Sequence, residues 1–251
     1  EEALASYGRA LELAPGYADA FNNRGNALRD LRRYEDASAD FGCVLELAPD
    51  YEYAAGAMAG LKLQCCDWRE RDHDSTRIIA AVRAGKRSVA PFTFLAISDS
   101  ARDQLLCARI CCRDRFPAAP APLWAGTRYR HDRIRLAYVS SDLHEHATAH
   151  LMAGLFERHD RTRFETTAVS MGPDQSSAMR SRLTAAFERF VDARQKSDRE
   201  IAGLLRELEI DIAVDLKGYT QDGRTGIFAL RPAPLQVNYL GYPGTMAAEY
   251  I

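Results

Sequence analysis

Residues 133–150 read R-I-R-L-A-Y-V-S-S-D-L-H-E-H-A-T-A-H. Ile134 to Val139 is an apolar run of strand length, and three of the six histidines, His144, His146 and His150, follow it within seven residues. Titratable rings just past the end of a buried strand stand where parallel α/β sheets bind their ligands. This stretch is the strongest functional signal in the chain.

Downstream, short apolar runs alternate with amphipathic stretches. Strands are predicted at Ile134 to Val139, Phe164 to Ser170, Arg189 to Asp192, Ile210 to Asp215 and Leu235 to Tyr239. Helices fit between them at about 148–158, 176–187 and 197–208, the β-α-β rhythm of a parallel sheet. Two further strand-end loops carry chemistry. D-L-K-G-Y-T-Q-D-G places Asp215, Lys217, Tyr219 and Thr220 after one strand, and Gly218 permits a tight turn. L-G-Y-P-G-T, Leu240 to Thr245, follows the last strand, where Pro243 and Gly244 fix a turn that brings backbone close to a cleft. Neither G-x-G-x-x-G nor a Walker loop is present, so this half lacks a standard nucleotide cradle.

His146 and His150 are four residues apart and can share a helical face, which invites comparison with H-E-x-x-H. Glu145 precedes His146 instead of following it, and no third ligand is evident, so no metal is expected. The alternative is a helix start whose amides near Thr148 attract an anion while His146 serves a proton transfer. Inside the helix, His150 is read as packing and hydrogen bonding.

Upstream, E-x-A-x-A-x-x-G-x-x-L-E-L-A-P-x-Y occurs at Glu1 to Tyr17 and again at Glu35 to Tyr51, an offset of 34 residues. With Gly25, Ala37, Phe41 and Pro49 as internal landmarks, this period resembles the tetratricopeptide repeat, a stacked helix pair. One whole repeat and the second helix of another are expected. Asn22, Asn23 and Asn26 lie on the first helix of the complete repeat. They are either a solvated face or part of a peptide groove in which amides grip an extended backbone. Residues 53–115 read as further helix, and the proline-rich F-P-A-A-P-A-P-L-W after Arg115 as a linker. The expected organisation is repeats over 1–68, a helical bridge and linker over 69–132, and a catalytic lobe over 133–251.

Composition narrows the function classes. Hydrophobic residues make up 47% of the 251, as in a folded globular protein, and the net charge of −2 supplies no basic field for nucleic acid. No apolar run is long enough for a bilayer, so no membrane partner is expected. The six cysteines, at 43, 65, 66, 107, 111 and 112, form no C-x-x-C pair and read as reduced, helix-buried thiols of a cytoplasmic protein. The chain starts without Met inside a repeat unit, and it is expected to be part of a longer protein.

The ordered set of 34-residue repeats, C-D-W, R-I-R-L-A-Y-V-S-S-D-L-H-E-H-A-T-A-H-L-M, D-L-K-G-Y-T and A-L-R-P-A-P-L-Q-V-N-Y-L-G-Y-P-G-T resembles the O-linked N-acetylglucosamine transferase family. The resemblance runs through essentially the whole chain. It implies an α plus α/β fold: a tetratricopeptide-repeat α-superhelix followed by the N-terminal, Rossmann-like lobe of a glycosyltransferase-B architecture. The C-terminal nucleotide-sugar lobe is expected beyond Ile251. The implied reaction is inverting transfer of N-acetylglucosamine from UDP-N-acetylglucosamine (UDP-GlcNAc) to Ser or Thr hydroxyls of acceptor proteins, with no cofactor and no metal.

His146 matches the first histidine of the family's H-x-T-x-H segment and is the candidate catalytic residue, as base or as a positioning group. The donor's phosphate is the other candidate base. Asp142, Thr148, His150, Asp215, Lys217, Tyr219, Thr220, Pro243, Gly244 and Thr245 are the candidate substrate-binding residues, and Asn23 and Asn26 the peptide-groove residues. Asp215 and Lys217 stand where animal members of the family carry asparagines. Two alternatives stay open: a relative using GDP-fucose, as in plant-type members, and a non-catalytic repeat scaffold.

Overall fold

The computed structural model describes residues 1–251, which divide into two compact units, Glu1–Cys111 and Cys112–Ile251. The first is entirely helical: α1 (Glu2–Leu13), α2 (Ala18–Asp30), α3 (Tyr34–Leu47), α4 (Ala54–Gln64), α5 (Arg71–Arg83) and the short α6 (Pro91–Phe94). Helix α7 (Ala101–Arg115) runs across the boundary. Helices α1 and α3 end at equivalent points, one residue before Ala14-Pro15 and Ala48-Pro49, since proline cannot continue a helix.

The landmarks of the repeat do the packing expected of them. Gly25 of α2 faces the Phe41 ring of α3 so closely that a Cβ would sit 3.2 Å from it. Ala37, Phe41 and Val44 are fully buried with Leu28, Ala54 and Leu61. Arg24 clamps Asp40 across the pair with two hydrogen bonds of 2.7 and 2.6 Å. A second cluster joins Ile78, Val82, Val89, Phe94 and Cys107.

The cysteine reading holds for Cys107, Cys111 and Cys112, buried on α7, but needs correcting for Cys65 and Cys66. Helix α4 stops at Gln64, so this pair falls in the turn beyond its packed face and is exposed.

The second unit holds β1 (Ile134–Ser140), α8 (Ala147–Glu157), β2 (Phe164–Ser170), α9 (Ala178–Ala186), β3 (Arg189–Asp192), α10 (Asp198–Glu207), β4 (Ile212–Asp215), α11 (Gly226–Ala229) and β5 (Leu235–Asn238). All neighbouring strands are parallel, in the order β3-β2-β1-β4-β5. The chain therefore winds outward from β1 through β2 to β3, then returns to place β4 on the other side of β1. That reversal opens a crevice between the carboxyl ends of β1 and β4.

Strand β4 starts two residues later than the apolar run suggested. Asp211 instead turns its carboxylate onto the Arg135 amide at 2.8 Å, and its own amide donates to the Arg135 carbonyl at 2.9 Å. The proline-rich stretch is not a free linker. Ala119, Leu123 and Trp124 donate backbone hydrogen bonds, each 2.9 Å, to the carbonyls of Ala229, Leu230 and Arg231.

Candidate active site

The loops after β1 and β4 meet over the crevice. Asp142 comes from the first and Lys217 from the second, and Lys217 Nζ stands 2.8 Å from each Asp142 carboxylate oxygen. Both side chains are buried. His146 ends the first loop as the N-cap of α8, with extended backbone, and its Nδ1 accepts the Thr148 amide at 3.2 Å. The cap satisfies one of the amides that every helix start leaves open. Ser141, Asp142, His144, His146 and Lys217 line a cleft of about 720 Å³ together with Met171, Gly172 and Pro173 from the loop after β2. Arg194, Gln221, Asp222, Gly223 and Arg224 complete the lining.

Of the residues predicted from sequence, Asp142, His146 and Lys217 thus share one cleft. Thr148 stands behind them and directs its hydroxyl at Asp142 Oδ2, 3.4 Å away. Asp215 is turned into the protein, 3% exposed, where its Oδ1 accepts the Lys217 and Gly218 amides at 2.8 and 3.0 Å. Burial raises its pKa above the usual carboxylate value against those hydrogen bonds, and Oδ2 has no partner. Asp215 therefore builds the turn that carries Lys217. Gly218 makes that turn possible with φ +54°, against Tyr242 and Asn238.

The remaining candidates lie outside the lining. Tyr219 donates its hydroxyl to the Met246 carbonyl at 2.8 Å and packs on Phe116 and Tyr242. Thr220 Oγ1 donates to the Lys217 carbonyl at 2.9 Å. Pro243 and Thr245 are exposed, Thr245 Oγ1 accepts the Ala247 amide, and Gly244 lies against the Tyr242 ring. His150 is exposed and pairs with Glu145 Oε1 at 2.8 Å, so it and His146 face different partners. In the repeat, Asn23 is exposed, and Asn26 directs its amide to the Asn22 carbonyl of its own helix at 2.9 Å.

Sequence reasoning missed Arg194 and Arg224, which enter the cleft from distant segments. Each is already paired, Arg194 with Asp192 at 2.6 Å and Arg224 with Asp198 at 2.6 Å. It also missed Arg180 on α9, a buried strut that donates to the Leu143 carbonyl at 2.8 Å and to Ser170 Oγ at 2.7 Å, with its guanidinium over Phe190. None of the three lies in a recognisable motif. The G-P turn at Gly172-Pro173 was the one available signal, because the loop after β2 ends a strand adjacent to β1.

Comparison with known proteins finds relatives of both units. Residues 18–51 match the tetratricopeptide repeat and residues 93–251 match glycosyl transferase family 41. A probable UDP-N-acetylglucosamine–peptide N-acetylglucosaminyltransferase of Arabidopsis thaliana is 31% identical over 205 residues, 75% of this chain and 21% of that protein. The corresponding transferase of Caenorhabditis elegans is 38% identical over 120 residues, 47% of this chain and 10% of that protein. Among solved structures, a mutant O-GlcNAc transferase of Thermobaculum terrenum superposes on 99% of this chain with a TM-score of 0.65 at 25% identity. The chain spans 48% of that structure and 21% and 10% of the two curated relatives. With a family match over more than half its length and the expected order of repeat and parallel sheet, the chain belongs to glycosyl transferase family 41.

Proposed function

We propose that this chain is the acceptor-side part of a protein O-N-acetylglucosaminyltransferase that uses UDP-GlcNAc. The observation that carries the reading is the cleft at the switch point of a family 41 sheet, with His146 at a helix start and a buried Asp142–Lys217 pair beside it. A Ser or Thr hydroxyl oxygen attacks the anomeric carbon of the sugar, the bond to the UDP oxygen breaks with inversion, and the hydroxyl proton passes to a base. A hydroxyl is a weak nucleophile at neutral pH, so orientation and proton removal are the tasks of the site. The reading includes no metal or other cofactor. His146 is the residue proposed to touch the reacting groups, with Asp142 and Lys217 supporting it.

The same reading gives Asn23 and Asn26 a place on the surface that receives acceptor proteins, and it puts the enzyme in the cytoplasm. No helix is long and apolar enough to cross a membrane. The nucleotide part of the donor is assigned to a second lobe of the same protein, in keeping with the share of the relatives that this chain spans.

The test uses the whole protein that contains these residues. Radiolabelled sugar is expected to reach protein from UDP-GlcNAc, and His146→Ala is expected to lower that transfer by about 100-fold, the scale of a lost proton-transfer or orienting group. Transfer from GDP-fucose alone would establish a fucosyltransferase. Absence of transfer from either donor, with acceptor proteins still bound, would leave a repeat scaffold.

A further inference from the structure

The Asp142 carboxylate is fully occupied. Besides Lys217 Nζ at 2.8 Å from both oxygens, Ser141 Oγ donates to Oδ1 at 3.3 Å and Thr148 Oγ1 to Oδ2 at 3.4 Å. His146 Nδ1 lies 3.6 Å from Asp142 Oδ2, beyond hydrogen-bond reach, and 3.2 Å from the Thr148 nitrogen. A backbone N–H can only donate, so Nδ1 presents a lone pair to it. In the neutral ring the proton is then on Nε2. Nε2 has no hydrogen-bond partner in the protein, and the side chain is 42% exposed where it lines the cleft.

A second arrangement competes with this one. If Nδ1 carried the proton, it would turn to Asp142 in a charge-assisted hydrogen bond and give up the Thr148 amide. A buried carboxylate without a counter-ion would enforce that arrangement, because leaving it unpaired is costly. Lys217 supplies the counter-ion, with 7% of its side chain exposed. The other groups near the ring do not take its place. His144 lies 5.7 Å away ring to ring, and Arg194 and Arg224 are held by Asp192 and Asp198. Asp222 also lines the cleft, and Glu145 is turned to His150.

We infer that Lys217 is a positioning residue that, by neutralising Asp142, holds His146 in the Nε2–H form, so that the ring offers the cleft a hydrogen-bond donor and not a proton acceptor. The catalytic meaning rests on the glycosyl-transfer reading. Nε2–H then donates to an oxygen of the bound substrates, and the proton released by the acceptor hydroxyl passes to an oxygen of the donor's phosphate. The residue set accounts for a lysine here: a neutral side chain at 217 would leave Asp142 free to capture the ring.

Long-range proton–nitrogen NMR on the ¹⁵N-histidine-labelled 251-residue chain at neutral pH reads this directly, because the unprotonated ring nitrogen resonates far downfield of the protonated one. In the wild type, Nδ1 of His146 is expected downfield. In Lys217→Met, and in Lys217→Gln, which keeps a hydrogen bond to Asp142 without the charge, Nδ1 is expected to gain a proton and move upfield. In the double variant Lys217→Met, Asp142→Asn the wild-type pattern should return, and this pair of neutral side chains also covers the case in which Lys217→Met does not fold. A wild-type Nδ1–H, or an unchanged pattern in the folded neutral variants, overturns the inference. The readout needs no sugar transfer, so it stands or falls separately from the glycosyltransferase reading.

Discussion

Asp215 and Lys217 are two residues apart, yet one faces the core and the other the cleft. Sequence showed that both stand at a strand end. It could not show which way each points, because that depends on the left-handed turn at Gly218 and on what packs against it. The difference has a measurable consequence. Asp215 has a folded pKa raised above 3.8 by burial, so its favourable contribution is complete below 3.8 and is lost as pH rises through the raised value. Asp215→Asn retains the Oδ1 acceptor for the turn and removes the charge. Urea unfolding at neutral pH is expected to show a gain of about 1 kcal/mol, with a flatter pH dependence than the wild type.

His131 behaves in the same sense in a higher window. Its burial lowers the pKa, but hydrogen bonds from both ring nitrogens to Glu209 and Asp211, each 3.0 Å, outweigh that and raise it above 6.5. Its stabilisation is complete below 6.5 and fades as pH rises through the raised value. Compared with His131→Gln, the wild type should lose about 0.5–1 kcal/mol across that rise, a modest value because Glu209 is half exposed. The comparison is made as a difference between proteins, since His159, lowered by burial, contributes the opposite slope.

At the scale of elements, β1, β2 and β4 were legible as short runs buried toward their carboxyl ends, whereas the edge strands β3 and β5 are half exposed and were legible only from the β-α-β rhythm. Helix α11 was not, since four residues carry no period. The contact between strand-end loops was also hidden. A Cβ on Gly172 would lie 1.8 Å from the Ser141 carbonyl oxygen, and one on Gly241 would lie 1.8 Å from that of Leu216. The loops after β2 and β5, the strands next to β1 and β4, thus rest backbone to backbone on the two loops that carry Asp142 and Lys217. Gly172→Ala is expected to cost about 2 kcal/mol, because backbone cannot yield as a side chain does. Gly203, inside α10 with nothing within 4 Å, is the contrast. Gly203→Ala should stabilise by about 0.5 kcal/mol through the unfolded state, and thermal melting of the two variants should move in opposite directions.

At the scale of the molecule, a composition shift at the prolines suggested a domain edge near residues 116–132, whereas the compact units divide at Cys111 and Cys112. Proline-rich sequence reports the absence of regular structure, not the absence of partners. Here the partners are particular. Beyond the three backbone bonds to residues 229–231, the Phe116 carbonyl accepts the Tyr250 hydroxyl at 2.9 Å and the Phe116 ring stacks on Tyr219. Arg206 Nε reaches the Leu123 carbonyl, Arg206 also holds the Tyr129 hydroxyl, and His131 bridges to Asp211. Residues 112–132 therefore brace the loops after β4 and β5, including the one that carries Lys217. A fragment beginning at residue 112 should keep the α/β unit intact, while one beginning at 133 leaves those partners unpaired. With about 1 kcal/mol for each backbone bond lost, the shorter fragment should be less stable by about 3 kcal/mol. Urea unfolding of the two fragments decides this, and equal midpoints would return residues 116–132 to the status of a linker.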